Sequence, residues 1–186
     1  MKLFACPIPD TGKTAAHDTA HQLLRRVLQE FFGLPLPEIA RDSHGKPFFP
    51  DVPQLHFNLS HCRGLAVCGV SDRPIGVDAE EIRPLRERVL RRAFSPEETR
   101  TVRESQHPDE YFFRLWTLKE SYVKAIGVGI SYPLQTLSFV LDGDSIQTSV
   151  SGWQFGQFLV QPGWVVSCCV GMEDTLPDKV IFLNNG

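Results

Sequence analysis

The hydrophobic residues of this chain recur with two periods, one typical of helices and one typical of strands. Helical spacing predicts a helix over residues 14–32, and a second helix that starts near Arg114 and ends in a glycine-rich turn at Gly127. Period-two or continuous apolar runs predict strands at 2–8, 55–61, 65–70, 75–80, 137–141, 145–150, 157–160 and 164–170. Each half therefore combines helical material with a small antiparallel sheet, which predicts an α+β fold.

The predicted strand Ile75–Glu80 carries two acidic residues at alternate positions. Alternation places Asp78 and Glu80 on one face of the strand, where their carboxylates repel each other unless a cation lies between them. A third carboxylate, Glu120, lies on the second predicted helix. Together the three supply oxygen ligands for Mg²⁺, with positions left for water and phosphate oxygens. This arrangement suits a phosphate-transfer site.

The pair formed by Glu120 and Lys124 has a simpler interpretation. Their spacing of four residues puts both side chains on one side of the helix, where such pairs commonly form exposed, weakly stabilising salt bridges. On the helix alone, that interpretation is the more probable one. The acidic cluster at Asp78 and Glu80 favours a functional site instead.

Composition narrows the class of protein. The chain has 186 residues, 42% hydrophobic and 22% charged, with a formal net charge of −3. This balance is ordinary for a globular protein and argues against general nucleic-acid binding. No apolar run approaches the length of a membrane span, and the first residues lack the apolar core of a signal peptide. Five cysteines without metal-type spacing predict free thiols in a reducing cytoplasm.

Three motifs in order, FNLSHC, GVDAE and WTLKESYVK, resemble those of the Sfp-type 4'-phosphopantetheinyl transferases. The resemblance runs from about Gly45 to the turn at Gly127–Pro133. It implies two similar α+β subdomains in a pseudo-twofold arrangement, residues 1–74 and 75–186, with coenzyme A in the cleft between them. It also implies Mg²⁺-dependent transfer of phosphopantetheine from coenzyme A to a carrier-protein serine. We expect a monomer, because one chain with two halves can complete such a site.

The resemblance also assigns roles to single residues. It implies that Mg²⁺ is held by Asp78, Glu80 and Glu120, and that coenzyme A is contacted by Lys46, Ser60, His61 and Lys124. Glu120 is the first candidate for taking the serine proton, and Lys124 would stabilise the leaving group. From the residues alone, Lys46 is an exposed lysine in a Gly-Lys-Pro turn, and a Ser-His pair is usually structural.

Glu98 is the second candidate for the base, because relatives carry a glutamate at this position. Its local sequence has a structural explanation as well. Ser95 at the N-cap, Pro96 at the first position and Glu98 at the third predict a capping box that begins a helix. Capping alone therefore explains Glu98.

The segment Arg83–Phe94 contains five arginines and one glutamate, and its leucines and valine give a narrow apolar stripe. Such a helix could be a solvated face, a nucleic-acid patch or a dock for an anionic partner. The resemblance favours the third possibility, because acyl and peptidyl carrier proteins are acidic. The natural carrier could belong to fatty acid, polyketide or nonribosomal peptide synthesis.

Two other classes of function compete with the transferase. A non-catalytic module that binds coenzyme A or a carrier would keep the basic segment without needing the full set of Asp78, Glu80, Glu120 and Lys124. A hydrolase could use Cys62 or Ser60 with His61, although adjacent strand residues point to opposite faces.

Overall fold

The computed structural model describes residues 1–8, 13–160 and 163–184. The helices of this part of the chain are α1 (Lys13–Phe32), α2 (Glu87–Ala93), α3 (Pro96–Glu104) and α4 (Pro108–Ile126). Its strands are β1 (Lys2–Pro7), β2 (Ala40–Arg41), β3 (Pro47–Phe48), β4 (His56–Cys62), β5 (Leu65–Ser71), β6 (Ile75–Glu81), β7 (Phe139–Asp142), β8 (Ser145–Thr148), β9 (Trp153–Val160), β10 (Trp164–Gly171) and β11 (Val180–Phe182). Two 3-10 turns, Gly129–Ser131 and Leu134–Thr136, follow α4.

The first half is a sheet with the strand order β11-β1-β5-β4, antiparallel except for the β1–β11 pair. Helix α1 packs on it through one apolar face, on which Leu24, Val27 and Leu28 are fully buried, whereas Phe31, which has the same helical spacing, is exposed. On the sheet, Phe57 and Val70 belong to the same core cluster. The periodicity of α1 therefore sets which face covers the sheet.

The second half repeats the same topology. Its antiparallel sheet has the order β6-β10-β9, and α4 packs on β6 and β10. In both halves a strand is followed by a helix and later by a hairpin, and the second hairpin strand pairs with the first strand. The predicted α+β fold with two similar halves is confirmed in this topology. The pseudo-twofold relation between the halves stays a prediction.

The close approach of α4 to β6 depends on Gly76. A Cβ at this position would collide with the backbone of Ser121 and Ala125 on the helix. The glycine of the GVDAE motif therefore lets α4 lie directly over β6. This contact brings the polar face of α4 to the carboxylates that follow on the strand.

The two sheets meet at their edge strands β4 and β6. Side-chain oxygens of β4 accept hydrogen bonds from backbone N–H groups of β6, where a continuous sheet would have backbone–backbone hydrogen bonds. The N–H of Val77 donates to Asn58 Oδ1 at 2.8 Å, and the N–H of Ala79 donates to Ser60 Oγ at 3.2 Å. A strand edge with unpaired N–H groups is costly to bury, and these bonds satisfy it. A shared apolar cluster, with Leu65 and Val67 from one half and Val166 and Cys168 from the other, joins the halves behind this seam.

The predicted boundary between residues 74 and 75 stays a prediction. The loop from Ser71 to Ile75 does separate the strands of the two sheets. However, the C-terminal strand Val180–Phe182 returns to the first sheet and pairs with β1. Strand β11 therefore contributes to the half that begins the sequence.

Two helices differ in length from the sequence-based expectation. Helix α4 begins at Pro108, before Arg114, and ends as predicted at Gly127, which has a left-handed φ of 75°. The arginine-rich segment forms a helix only from Glu87, because Arg86 before it has an extended backbone and the N–H of Leu85 donates to Asp109 Oδ1. Within the described residues, no helix is long and apolar enough to cross a bilayer.

Candidate active site

Asp78 on β6 lies at the centre of the polar cluster between the two halves. Its side chain is buried, and Oδ1 accepts hydrogen bonds from Lys124 Nζ at 2.7 Å and Ser60 Oγ at 2.9 Å. Among the described residues, its second oxygen, Oδ2, is buried without a hydrogen-bond partner. A buried carboxylate oxygen without a partner is costly, so this atom marks a place where a further donor or a cation would be favourable.

Lys124 reaches this cluster from the last turns of α4. Besides Asp78, its ammonium donates to Ser60 Oγ at 2.9 Å and to the carbonyl of Val77 at 3.1 Å. Its ion pair is thus with Asp78 across the helix–strand interface. The interpretation of Lys124 and Glu120 as an exposed helical salt bridge is wrong, because Lys124 is directed at the strand.

Glu120 lies one helical turn before Lys124 on the same side of α4 and lines the cleft. Burial and the negative charges of Asp78 and Glu80 together raise the pKa of Glu120 to about 7, against an opposing effect of Lys124. The charges of Asp78 and Glu80 thus both act on Glu120. At neutral pH, Glu120 therefore changes easily between its protonated and ionised forms.

Glu80, two residues after Asp78, is held from two sides. It forms a salt bridge with Arg83 at 3.0 Å. Burial and the charge of Asp78 raise the pKa of Glu80, while Arg83, Lys124 and a side-chain hydrogen bond with Trp116 lower it. The tryptophan of the WTLKE motif thus interacts with an acidic residue of the GVDAE motif.

The donor chemistry at this cluster fits a divalent cation. Asp78 offers an unpartnered buried oxygen, and the proximity of Asp78 raises the pKa of both Glu80 and Glu120. Ionised carboxylates that raise one another's pKa are stabilised when a cation neutralises them. Within the described part of the chain, no three His, Cys, Asp or Glu side chains already converge as a ready metal site.

A cleft of about 340 Å³ opens beside the cluster, between α1, β4, the turn that carries Lys46, and the end of α4. Glu120 and Lys124 line it. Its other polar lining is rich in basic and imidazole groups: His17, His21, Arg41, His44, Lys46 and His61. With one carboxylate among these groups, the cleft has the charge character of a site for an anionic ligand.

The predicted ligand-contacting residues of the first half occupy different positions relative to this cleft. His61 lines it, and burial together with the charges of Lys124 and His17 lowers its pKa. Ser60 points instead into the seam between the sheets, where it bonds Asp78, Lys124 and the N–H of Ala79. Lys46 lines the cleft, but its ammonium donates to the carbonyl of Ala125 at 2.6 Å.

The hydrolase interpretation finds no support in this geometry. Ser60 is bonded to an acid and a lysine rather than to His61. Burial and the nearby charges of Glu80 and Asp78 raise the pKa of Cys62 to about 12, so the thiolate that a cysteine nucleophile requires is not favoured.

Glu98 lies away from the cleft, in the junction of α3, α4 and β7. The predicted capping box is confirmed: Ser95 Oγ accepts from the Glu98 N–H, and Glu98 Oε2 accepts from the Ser95 N–H. The same Oε2 pairs with the buried Lys119 at 2.7 Å, and Oε1 accepts from the N–H of Phe139 at 3.1 Å. Both oxygens are thus committed to structure, which argues against Glu98 as a base.

Several residues of the site carried no functional prediction. Asn58 and Ser60 lie on the same face of β4. Their period-two spacing could have indicated that Asn58 lies beside the predicted site residue Ser60. His17 and His21 are four residues apart on α1, and their ring centroids are 4.4 Å apart. Their helical spacing could have indicated that the two imidazoles lie on the same side of α1. The interaction of Trp116 with Glu80 depends on the packing of α4 on β6, and no local pattern in the sequence indicates it.

Comparison with known proteins defines the class to which this fold and site belong. Residues 74–169 match the model of the 4'-phosphopantetheinyl transferase superfamily. Over 183 residues the chain is 31% identical to the 4'-phosphopantetheinyl transferase Sfp of Bacillus subtilis strain 168, covering 92% of this chain and 81% of that protein. The chain therefore belongs to the 4'-phosphopantetheinyl transferase superfamily.

Two other relatives match at higher identity over shorter stretches. A 4'-phosphopantetheinyl transferase of Bacillus subtilis is 37% identical over 71% of this chain, and psf-1 of Bacillus pumilus is 36% identical over 68% of it. The matches span only 62% and 56% of those relatives. A solved holo-[acyl-carrier-protein] synthase of Thermotoga maritima aligns at 17% identity with a TM-score of 0.44, covering 52% of this chain and 61% of that one.

Proposed function

We propose that this protein transfers the 4'-phosphopantetheine arm of coenzyme A to a serine of an acyl or peptidyl carrier protein and releases 3',5'-ADP. The observation that carries the proposal is the cluster of Asp78, Glu120 and Lys124, the last two of which line a basic cleft. The relatives named 4'-phosphopantetheinyl transferases support it. The cleft offers cationic and imidazole groups to a pyrophosphate, and the carboxylates beside it offer a base.

In the proposed reaction the carrier serine oxygen forms a bond to the β-phosphorus of coenzyme A, and the bond from that phosphorus to the 3',5'-ADP oxygen breaks. Glu120 takes the serine proton. In the metal-free protein its pKa is about 7, in the range of a base that works near neutral pH. Phosphoryl transfer depends mostly on positioning and charge neutralisation, and the residues of this cleft are arranged for both.

Lys124 is proposed to contact the pyrophosphate and stabilise the charge that develops on the leaving group. The Lys124 side chain is 28% exposed, whereas the side chain of the bonded Asp78 is 8% exposed, so the lysine side of the pair is the more open to a ligand. All three of its N–H groups have acceptors in the described structure, at Asp78, Ser60 and Val77. A phosphate oxygen would therefore replace one of these acceptors.

Mg²⁺ is the proposed cofactor, and Asp78, Glu80 and Glu120 would hold it. When bound, Mg²⁺ would neutralise charge on the pyrophosphate. Glu120 has two oxygens, so one can face the cation while the other accepts the serine proton. The unpartnered Oδ2 of Asp78 supports this donor set. The ion pair of Arg83 with Glu80 would orient the second carboxylate.

The carrier is proposed to dock on Arg83–Phe94. Arg86, Arg88, Arg91 and Arg92 are exposed, which supports a basic surface for an acidic partner. Arg83 does not belong to this exposed set, because it is half-buried, pairs with Glu80 and lies over the Phe113 ring. It links the proposed docking segment to the carboxylate cluster.

The residue sets from both halves meet within one chain, which supports the proposed monomer. The division into a half that contacts coenzyme A (1–74) and a half with the metal site, catalytic helix and carrier surface (75–186) is proposed on the same ground. All five cysteines are unpaired, which supports the proposed cytoplasmic location.

Intact-mass measurement of apo carriers tests the proposal. An apo acyl carrier protein and an apo peptidyl carrier domain are each incubated with coenzyme A, Mg²⁺ and the protein. We expect one carrier or both to gain the mass of a single phosphopantetheine, and the gain to disappear with EDTA. Coenzyme A binding without any mass gain would favour the alternative of a non-catalytic module that binds coenzyme A or a carrier. Neither binding nor transfer would contradict the proposed function.

A further inference from the structure

Lys46 holds two segments of the second half from a turn of the first half. Its Nζ donates to the carbonyl of Ala125 at 2.6 Å and lies 3.5 Å from the carbonyl of Ile75. Ala125 belongs to the last turn of α4, where carbonyls have no partner within the helix. Ile75 is the first residue of β6. A single ammonium therefore caps the helix end and ties it to the strand start.

The turn that carries Lys46 is itself fixed. Asp42 Oδ1 accepts from the N–H groups of His44 and Lys46, each at 2.9 Å, and the Asp42 N–H donates to the Lys46 carbonyl at 3.0 Å. Gly45 takes the left-handed conformation that closes the turn, with φ of 86°. The backbone of Lys46 is thus held before its side chain reaches across the cleft.

The stem of Lys46 fits closely against the end of α4. A Cβ on Gly127 would lie 3.0 Å from Lys46 Cδ, a contact that leaves little room for movement. Burial lowers the pKa of Lys46, and the charge of Asp42 partly offsets that effect. The ammonium is therefore withdrawn from solvent and directed at carbonyls. A lysine that serves mainly as a phosphate ligand would present its ammonium to the cleft.

The two contacts lie close to the reacting groups in the sequence. Ala125 directly follows Lys124, and Ile75 precedes Asp78 by three residues on a regular strand. A shift of either segment changes the separation of Lys124 and Glu120 from Asp78. Misplacement of catalytic groups by about 1 Å can lower a rate by about 100-fold.

We propose that Lys46 is a positioning residue that locks the end of α4 to the start of β6 and so sets the geometry of Asp78, Glu120 and Lys124. This inference rests on the proposed transferase function for its kinetic consequence. It departs from the expectation that Lys46 acts as a ligand of coenzyme A.

The test compares Lys46→Met and Lys46→Arg with Lys179→Met, the same change at an exposed lysine. Three quantities are measured on folded protein: the kcat and KM for coenzyme A, the calorimetric dissociation constant of coenzyme A, and hydrogen exchange of the amides in residues 121–127. For Lys46→Met we expect kcat to fall about 10- to 100-fold, the dissociation constant to change less than about threefold, and exchange at the end of α4 to accelerate. Lys46→Arg keeps a cationic donor and should recover most of kcat, and Lys179→Met should match the wild type.

Two results would overturn the proposal. Loss of coenzyme A affinity by more than about tenfold with kcat unchanged at saturation would make Lys46 a phosphate ligand. Unchanged kcat and affinity with a lower unfolding temperature would leave it a purely structural residue. If the wild type modifies neither carrier, the proposed function fails on its own, and exchange decides the positioning role: accelerated exchange in Lys46→Met supports it, and unchanged exchange refutes it.

Discussion

Helix α4 carries two lysines that form carboxylate ion pairs of equal length in very different surroundings. Lys119 pairs with Glu98 and Lys124 pairs with Asp78, both at 2.7 Å. Five residues of helix separate them, which is about 140° around the axis, so they enter different sides of the domain. The first pair is 0% and 4% exposed, the second 28% and 8%.

The difference lies in what surrounds each pair. The Lys119 ammonium also donates to the carbonyls of Leu134 at 2.9 Å and Leu137 at 2.6 Å. Both carboxylate oxygens of Glu98 accept hydrogen bonds from backbone N–H groups. The pair at Lys124 keeps an unpartnered carboxylate oxygen and borders the cleft. A fully satisfied pair fixes structure, whereas an incompletely satisfied pair can accept a ligand. Ion-pair distance alone does not separate the two roles.

Breaking the Lys119 pair should give the largest effect. Lys119→Met leaves Glu98 buried without its cation, which should lower the free energy of unfolding by about 3–5 kcal/mol in urea titrations. The double variant Lys119→Met/Glu98→Gln removes the uncompensated charge and keeps the capping box, so it should regain part of that loss. Unchanged stability in the single variant would contradict the structural role assigned to this pair.

Breaking the Lys124 pair should affect rate more than stability. Lys124→Met should lower kcat about 100- to 1000-fold, because it removes one donor to the developing charge. Its loss of unfolding free energy should be smaller than that of Lys119→Met, since the pair is partly open to solvent. Carrier modification and urea titration under one set of conditions measure both. If the two variants lose stability and rate in the same proportion, the contrast between the pairs is wrong.

The third largest effect should be a pH dependence of the unfolding free energy that is caused by Glu120. Its folded pKa of about 7 lies above the 4.5 of an ordinary glutamate, so the native state binds more protons between these values. The metal-free wild type should therefore lose stability as pH rises from about 4.5 to about 7, on the order of 2 kcal/mol. Glu120→Gln should lack this loss. Thermal unfolding in EDTA across pH 4–8 measures it, and parallel profiles for the two proteins would exclude the raised pKa.

The smallest effect concerns the carrier and should leave both ion pairs intact. Arg88→Glu/Arg92→Glu should reduce kcat/KM for the carrier about tenfold at low salt, with less difference at high salt. Coenzyme A affinity and the unfolding temperature should stay at wild-type values. The comparison variant is Lys179→Glu, which makes the same charge reversal at one exposed position outside the segment. A salt-independent defect would argue against electrostatic docking on this segment.

Much of the fold was predictable because it depends on local rules. The period of α1, the capping box at Ser95 and the glycine that ends α4 are each encoded within a few residues. The neighbouring positions of Asp78 and Glu80 follow from the alternation of a strand. That Glu120 belongs with Asp78 and Glu80 was inferred from the joint occurrence of the GVDAE and WTLKESYVK motifs, because no local pattern links the helix to the strand.

The remainder depends on contacts between distant segments. The sequence does not show that β4 and β6 meet edge to edge, so Asn58 and the inward direction of Ser60 were not predicted. Lys46 was expected to contact coenzyme A, yet its ammonium reaches Ala125, 79 residues along the chain. The different roles of Lys119 and Lys124 were likewise not predictable, because they depend on which segments pack against each face of α4.

We propose that phosphopantetheine transfer takes place in the cleft lined by Glu120 and Lys124, beside the buried Asp78. The most direct measurement is the rate of carrier mass gain with coenzyme A and Mg²⁺, compared for the wild type and Glu120→Gln at equal concentrations of folded protein. We predict a gain of one phosphopantetheine with the wild type and a rate at least about 100-fold lower with Glu120→Gln. Transfer by Glu120→Gln at the wild-type rate would contradict the account.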